Sequence, residues 1–148
     1  MKVAVIGSRS WPDLGAVREY VRKLPSGTVV VTGGWDDGKK IYPTPGVDQA
    51  AYDAAIEFGL VPVLVIANAR KHGWKAAGPR RNPVTVEIAD EVTAFDAGTP
   101  GTGRTIRLAL KAGKILEVHQ PGREAPTRTV KPYCTCEGPF GCEIHGPE

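Results

Sequence analysis

Val3-Ala4-Val5-Ile6-Gly7-Ser8-Arg9-Ser10, near the start of the chain, is a short β-branched run ending in a glycine and a polar, cationic turn. The design returns twice: Val29-Val30-Val31-Thr32 leads into Gly33-Gly34, and Val92-Thr93-Ala94-Phe95 leads into Gly98-Thr99-Pro100-Gly101-Thr102-Gly103. Apolar runs without strict polar alternation read as strands covered on both faces. In an open parallel sheet the carboxyl ends of the strands share one edge, so the three clusters are predicted to converge there, where a nucleotide-like ligand binds. One glycine after a strand is usually only a turn.

Two further β-rich runs, residues 61–66 and 115–118, bring the expected strands to five. Helical spacing fills the gaps. Ala16, Val17, Tyr20, Val21 and Leu24 form one stripe, with Pro12 suited to its first turn and Pro25 ending it. Val47, Ala50, Ala51, Ala54, Ala55 and Phe58 form a second, with Gly59 as its C-cap. A shorter helix is expected over residues 82–89, and a fourth around Ile106, Ala109 and Leu110, ending before Gly113. Strand and helix alternate, and right-handed crossovers then give an α/β fold: a Rossmann-like three-layer sandwich around a mainly parallel five-stranded sheet, with a short irregular C-terminal tail.

The 148 residues suit one domain, with 41% apolar and 24% charged residues. No apolar run approaches the roughly 20 residues that span a bilayer, so no membrane partner is expected. Met1-Lys2 precedes a strand pattern too short for a signal peptide, which predicts a cytoplasmic protein. The net charge of +3 is mild, and argues against nucleic acid as a partner. Residues 1–118 read as the ligand-binding domain, 119–132 as a linker rich in Pro, Gly and Thr, and 133–148 as a separate Cys/His tail. All three cysteines lie in that tail, which argues against a disulfide framework. Cys134, Cys136, Cys142 and His145 make a complete tetrahedral zinc donor set; the alternative is a tail of reduced thiols. A segment so poor in apolar residues would need the metal to fold it. No redox cofactor is expected.

Gly98 to Thr105 nearly fits the G-x-x-x-x-G-K-[ST] phosphate loop, but Arg104 stands where its lysine must reach the phosphates. A looser cradle of backbone N–H groups at a helix start near Thr102 is the better reading, with Gly101 and Thr102 as its members. Gly7, Ser8 and Arg9 offer a turn, a hydroxyl and a fixed charge, Arg9 gripping a phosphate or else pairing with Asp13. Gly33 and Gly34 permit close backbone approach. Asp48, in a first helical turn, either holds ribose hydroxyls or only complements the helix dipole. Trp35 to Pro43 reads as a long loop whose Trp35 and Tyr42 could stack on a base. Residues 70–82 carry five Lys/Arg and no acid, reading as a basic loop in which Arg81 and Asn82, at a helix start, face an anionic ligand.

Together, Gly7-Ser8-Arg9, Gly33-Gly34 with Gly46-Val47-Asp48, Ala77-Gly78-Pro79-Arg80-Arg81-Asn82, and Ala94-Phe95 followed by Pro100-Gly101-Thr102 resemble the successive motifs of the SLOG superfamily. These are the Rossmann-like relatives of the DprA DNA-processing proteins and the LOG phosphoribohydrolases, and the match is to their small stand-alone bacterial and phage branch. The resemblance covers about residues 1–118. It implies a pocket for a nucleotide or an ADP-ribose-like derivative, in a sensor or a phage sponge that removes an immune signal, and a dimer. LOG enzymes release the base from a nucleoside monophosphate with a glutamate soon after their G-G-x-G-T motif. Here Gly103, Arg104, Thr105 and Ile106 follow Thr102, and that glutamate is missing. Binding without catalysis is therefore the first expectation. The alternatives are a LOG-like hydrolase in which Asp36, Asp37 or Asp48 replaces the glutamate, and a DNA-associated module in which the pocket is vestigial and the basic loop and zinc tail contact phosphates.

Overall fold

The computed structural model describes residues 1–129. All five expected strands form: β1 (Lys2–Gly7), β2 (Val29–Asp36), β4 (Val61–Asn68), β5 (Glu91–Phe95) and β6 (Ile115–His119). They are mutually parallel in the order β4-β2-β1-β5-β6. Two short antiparallel strands enlarge this sheet to seven. β3 (Ile41–Pro43) pairs with the far half of β2, and β7 (Thr127–Thr129) pairs with β6. The latter lies inside the stretch expected to be linker. Cys134, Cys136, Cys142 and His145 lie outside the described residues.

Alternation along β1 builds the layers. Val3 and Val5 pack with Val17 and Val21 of α1 (Leu14–Arg22) and Val47, Ala51 and Ala55 of α2 (Val47–Glu57). Ala4 and Ile6 face the opposite cluster, with Val86 of α4 (Trp74–Ile88) and Ala109 of α5 (Pro100–Lys111). Two helices cover each face, as successive right-handed crossovers require. Asp13 caps α1 by accepting from the Ala16 N–H at 3.2 Å, so Pro12 lies ahead of the cap and not in the first turn. Gly59 follows the end of α2 at φ 70°. β4 is an edge strand, which is why it accommodates Pro62.

Two segments differ from expectation. Gly33 and Gly34 lie within β2, which continues to Asp36 and turns back through a hairpin into β3, so most of the expected long loop is paired strand. Residues 70–82 are helical, divided between the short α3 (Ala69–His72) and the first half of α4. Pro79 and Pro83 argue locally against that helix, since each removes a backbone donor. Packing of α4 on β4, β2 and α5 outweighs the local penalty.

Among the described residues no helix is long and apolar enough to cross a membrane.

Candidate functional site

The strand order reverses direction at β1. The chain builds outward through β2 to β4, then crosses back to place β5 on the other side of β1. A cavity of about 470 Å³ opens at this switch point, outside the carboxyl ends of the strands. Nine of the ten predicted binding residues line it: Gly7, Ser8, Arg9, Gly33, Asp48, Arg81, Asn82, Gly101 and Thr102. Gly34 does not. The position that would hold its Cβ faces the Tyr42 carbonyl and the Ile66 side chain, so Gly34 serves the packing of β3 and β4 on β2.

One wall is made by the ends of β1 and β5 and the start of α5. Ser8 accepts from the Ala97 N–H at 3.1 Å and shares hydroxyl hydrogen bonds with Thr99 (2.8 Å) and Thr102 (3.3 Å), which bond to each other at 3.0 Å. This triangle ties β1 to the first turn of α5. Pro100 opens that helix, where its missing N–H costs nothing, and the N–H groups of its first turn have no partner within the helix. Gly98 to Thr105 is thus mostly helix, and Arg104 is exposed on it. Gly7 admits the close packing of this wall: a Cβ there would lie 2.7 Å from both the Phe95 carbonyl oxygen and a Val47 methyl.

The opposite wall comes from β2, α2 and α4, and it is charged. Arg81 projects from the middle of α4, not from a helix start, and its Nη1 donates to the Gly34 carbonyl (3.2 Å) and to Thr44 Oγ1 (3.3 Å). Its guanidinium lies 5.6 Å from the centre of the Trp35 ring. Trp35 is 7% exposed, so it supports the arginine from beneath and does not stand in a loop awaiting a base. Asp48, in the first turn of α2, is 6% exposed, and its Oδ1 has no hydrogen-bond partner. Gly33 makes room for both charges: its Cβ would sit 2.7 Å from Arg81 Nη1 and 3.0 Å from Asp48 Oδ2.

Burial pushes the Asp48 carboxyl up to about 7, although Arg81, Arg9 and hydrogen bonds from Thr44 and the Gly33 N–H pull it back down. Burial likewise lowers Arg81, against the attraction of Asp48. Arg9 is exposed at the rim, and among the described residues it has no ion pair with Asp13. Asp36 and Asp37 do not line the cavity; each carboxylate accepts backbone N–H groups in the β2–β3 turn. Asp48 is therefore the cavity's carboxylate. Thr44, Thr85 and Thr105 also line it; nothing in the local sequence marks the first two, and Thr105 ends the phosphate-loop-like stretch. Among the described residues no group of three or more His, Cys, Asp or Glu could hold a metal ion.

No family model matches the chain, and no curated protein does. Among solved structures it is similar to DNA processing protein A from Helicobacter pylori, with a TM-score of 0.62 and 23% identity, over 86% of this chain and 68% of that one. The two share a Rossmann-like fold. That neighbour was described for its mode of binding single-stranded DNA, and the argument from net charge against nucleic acid as a partner does not survive the comparison. A net charge of +3 averages over the whole surface, whereas Arg9, Arg70, Lys71 and Arg81 gather on the side where the strands end.

Proposed function

We propose that the chain is a DNA-associated module that holds one nucleotide unit of a single strand in the cavity at the end of β1. The observation that carries this reading is the pairing of the two walls. Unpartnered N–H groups at the start of α5 line the same cavity as a half-buried arginine and a carboxyl oxygen that lacks a donor. The phosphate would lie against the Ser8-to-Ser10 turn and the α5 N-terminus, with Arg9 closing over it. Asp48 Oδ1 would accept from a base N–H, and Arg81 would add the second cation. The fold likeness to a protein that binds single-stranded DNA supports the class of ligand. The test is fluorescence anisotropy of a labelled oligothymidylate at low salt. Saturable binding that weakens as salt rises is expected, and no binding at low salt would remove the proposal.

A second reading is favoured by the size of the cavity, which falls in the range of small-ligand pockets. On this reading the occupant is a free nucleotide or nucleotide derivative. Calorimetry with mononucleotides separates the two: tight mononucleotide binding that oligonucleotides cannot displace would select the free ligand. The Cys134, Cys136, Cys142 and His145 set is proposed separately as a structural zinc site. Native mass spectrometry should show one zinc ion per chain, and a bare polypeptide mass would overturn it.

A further inference from the structure

The hairpin joining β2 to β3 rises directly from the cavity wall. Trp35 lines the cavity at the base of one leg and Thr44 just beyond the other, and the Thr44 N–H donates to the Gly33 carbonyl at 3.0 Å. Three residue steps along the strand lead from Gly33 to Asp36, which carries the turn about 10 Å from the cavity floor. The turn then meets α3. A Cβ at Gly38, where φ is 87°, would lie 3.2 Å from Arg70 Cδ, so the hairpin tip and α3 stand side by side beyond the ends of β2 and β4.

This junction concentrates positive charge. Lys39, Lys40, Arg70 and Lys71 are all exposed, and among the described residues none of them is in an ion pair. Lys40 lies 5.2 Å from the centre of the Tyr42 ring, on the leg that returns to the cavity. The nearby acids are already engaged by backbone. Asp36 accepts from the Gly38 N–H, and Asp37 accepts from the N–H groups of Lys39 and Lys40, which lowers its pKa. Asn68 accepts from the Lys71 N–H and fixes the start of α3. Hydrogen-bonded backbone therefore presents four exposed cations on a ridge continuous with the cavity.

We propose that the hairpin tip and α3 form a second phosphate-contacting site, along which the strand held in the cavity continues, with Lys39, Lys40, Arg70 and Lys71 meeting its successive phosphates. The inference rests on the cavity holding a nucleotide of single-stranded nucleic acid. About 10 Å spans about three phosphates at the ~3.4 Å axial spacing of one duplex strand and fewer in an extended single strand. Such contacts are independent of sequence, so the ridge lengthens the site without selecting bases.

The experiment compares the full chain with a variant carrying Lys39→Gln, Lys40→Gln, Arg70→Gln and Lys71→Gln. All four side chains are exposed, and circular dichroism checks that the fold is kept. Anisotropy is read with a thymidine dinucleotide and with an oligothymidylate of about twenty nucleotides across a potassium chloride series. The variant should bind the long oligonucleotide at least ~10-fold more weakly, with a salt slope shallower by about 2–3. Its affinity for the dinucleotide should stay within about twofold, because that ligand fills only the cavity. Unchanged affinity and slope on the long oligonucleotide would overturn the ridge while leaving the cavity reading intact. Failure of the unaltered chain to bind either ligand would overturn both.

Discussion

The two walls of the cavity differ in how completely their polar groups are satisfied. On the β1–β5–α5 side, Ser8, Thr99 and Thr102 form a closed triangle of hydroxyls, and Ser8 also receives the Ala97 N–H. On the β2–α2–α4 side, Asp48 keeps an oxygen without a donor, and Arg81 is held by long hydrogen bonds to the Gly34 carbonyl (3.2 Å), Thr44 (3.3 Å) and Asn82 Oδ1 (3.4 Å). Buried polar groups normally find partners, because leaving one unpaired costs on the order of 1–3 kcal/mol. The contrast separates scaffold from site. The closed wall holds the first turn of α5 in place, and the open wall keeps polar atoms that the surrounding protein groups satisfy only in part.

Glycine substitutions should break the contrast most sharply. Gly7→Ala drives a Cβ against the Phe95 backbone oxygen and against Val47, atoms that cannot yield without moving β5 or α2. A loss of about 3 kcal/mol in urea denaturation is expected. Gly33→Ala meets the end of the Arg81 side chain and Asp48 instead, and an arginine can swing away. Its stability should fall by only about 1 kcal/mol, while oligonucleotide affinity falls at least ~10-fold as Arg81 leaves its position.

Arg81→Gln tests the charged wall directly. Removing a charge-assisted contact should weaken oligonucleotide binding about 10- to 100-fold in anisotropy titrations, with the melting temperature little changed. Thr102→Val should do the reverse. The hydroxyl is engaged within the triangle, so stability should drop by about 1 kcal/mol while affinity stays within about twofold, since the ligand would meet only the Thr102 N–H.

The smallest effect is one of pH. Asp48 is neutral below about 7 and anionic above it, so a phosphate in the cavity gains a repulsive neighbour as pH rises. Affinity should decline by about a fewfold across neutral pH, and Asp48→Asn should flatten that decline. Carboxyl NMR should place the Asp48 midpoint near 7, moving upward in Arg81→Gln because Arg81 favours the ionised form. A midpoint in the usual carboxylate range would show that the open wall is solvated and not buried.

Much of the closed wall was legible because its signals are local. A β-branched run followed by Gly7-Ser8-Arg9, or by a glycine and threonine cluster with Pro100 at a helix start, states both the strand and its turn. The five parallel strands followed from the same pattern. The open wall was legible in its residue types but not in its geometry. Asp48 and Arg81 stood out as charges at glycine-rich junctions, yet Arg81 was expected at a helix start because Pro79 and Pro83 concealed the first half of α4. Gly33 and Gly34 suggested a strand end, whereas Gly33 lies mid-strand to leave room for two charged side chains that arrive from distant elements. Trp35 read as a loop aromatic because the residues that bury it, Ala67, Ala69 and Ala77, come from β4, α3 and α4 and the β3 pairing beside it involves only three residues. Thr44 and Thr85 carry no local sign at all, and Thr105 is marked only as the last position of the phosphate-loop-like stretch. Only the folded arrangement brings these three residues to one cavity.

The central claim is that the cavity between these walls receives a nucleotide of a single strand. Amide NMR of the ¹⁵N-labelled chain during titration with an oligothymidylate tests it most directly. The account predicts that the largest shifts fall on the N–H groups of Ser8 to Ser10, Gly33 and Gly101 to Thr102, with the Arg81 side-chain Nε signal moving alongside them. Saturable shifts confined to other surfaces, or none at low salt, would contradict it.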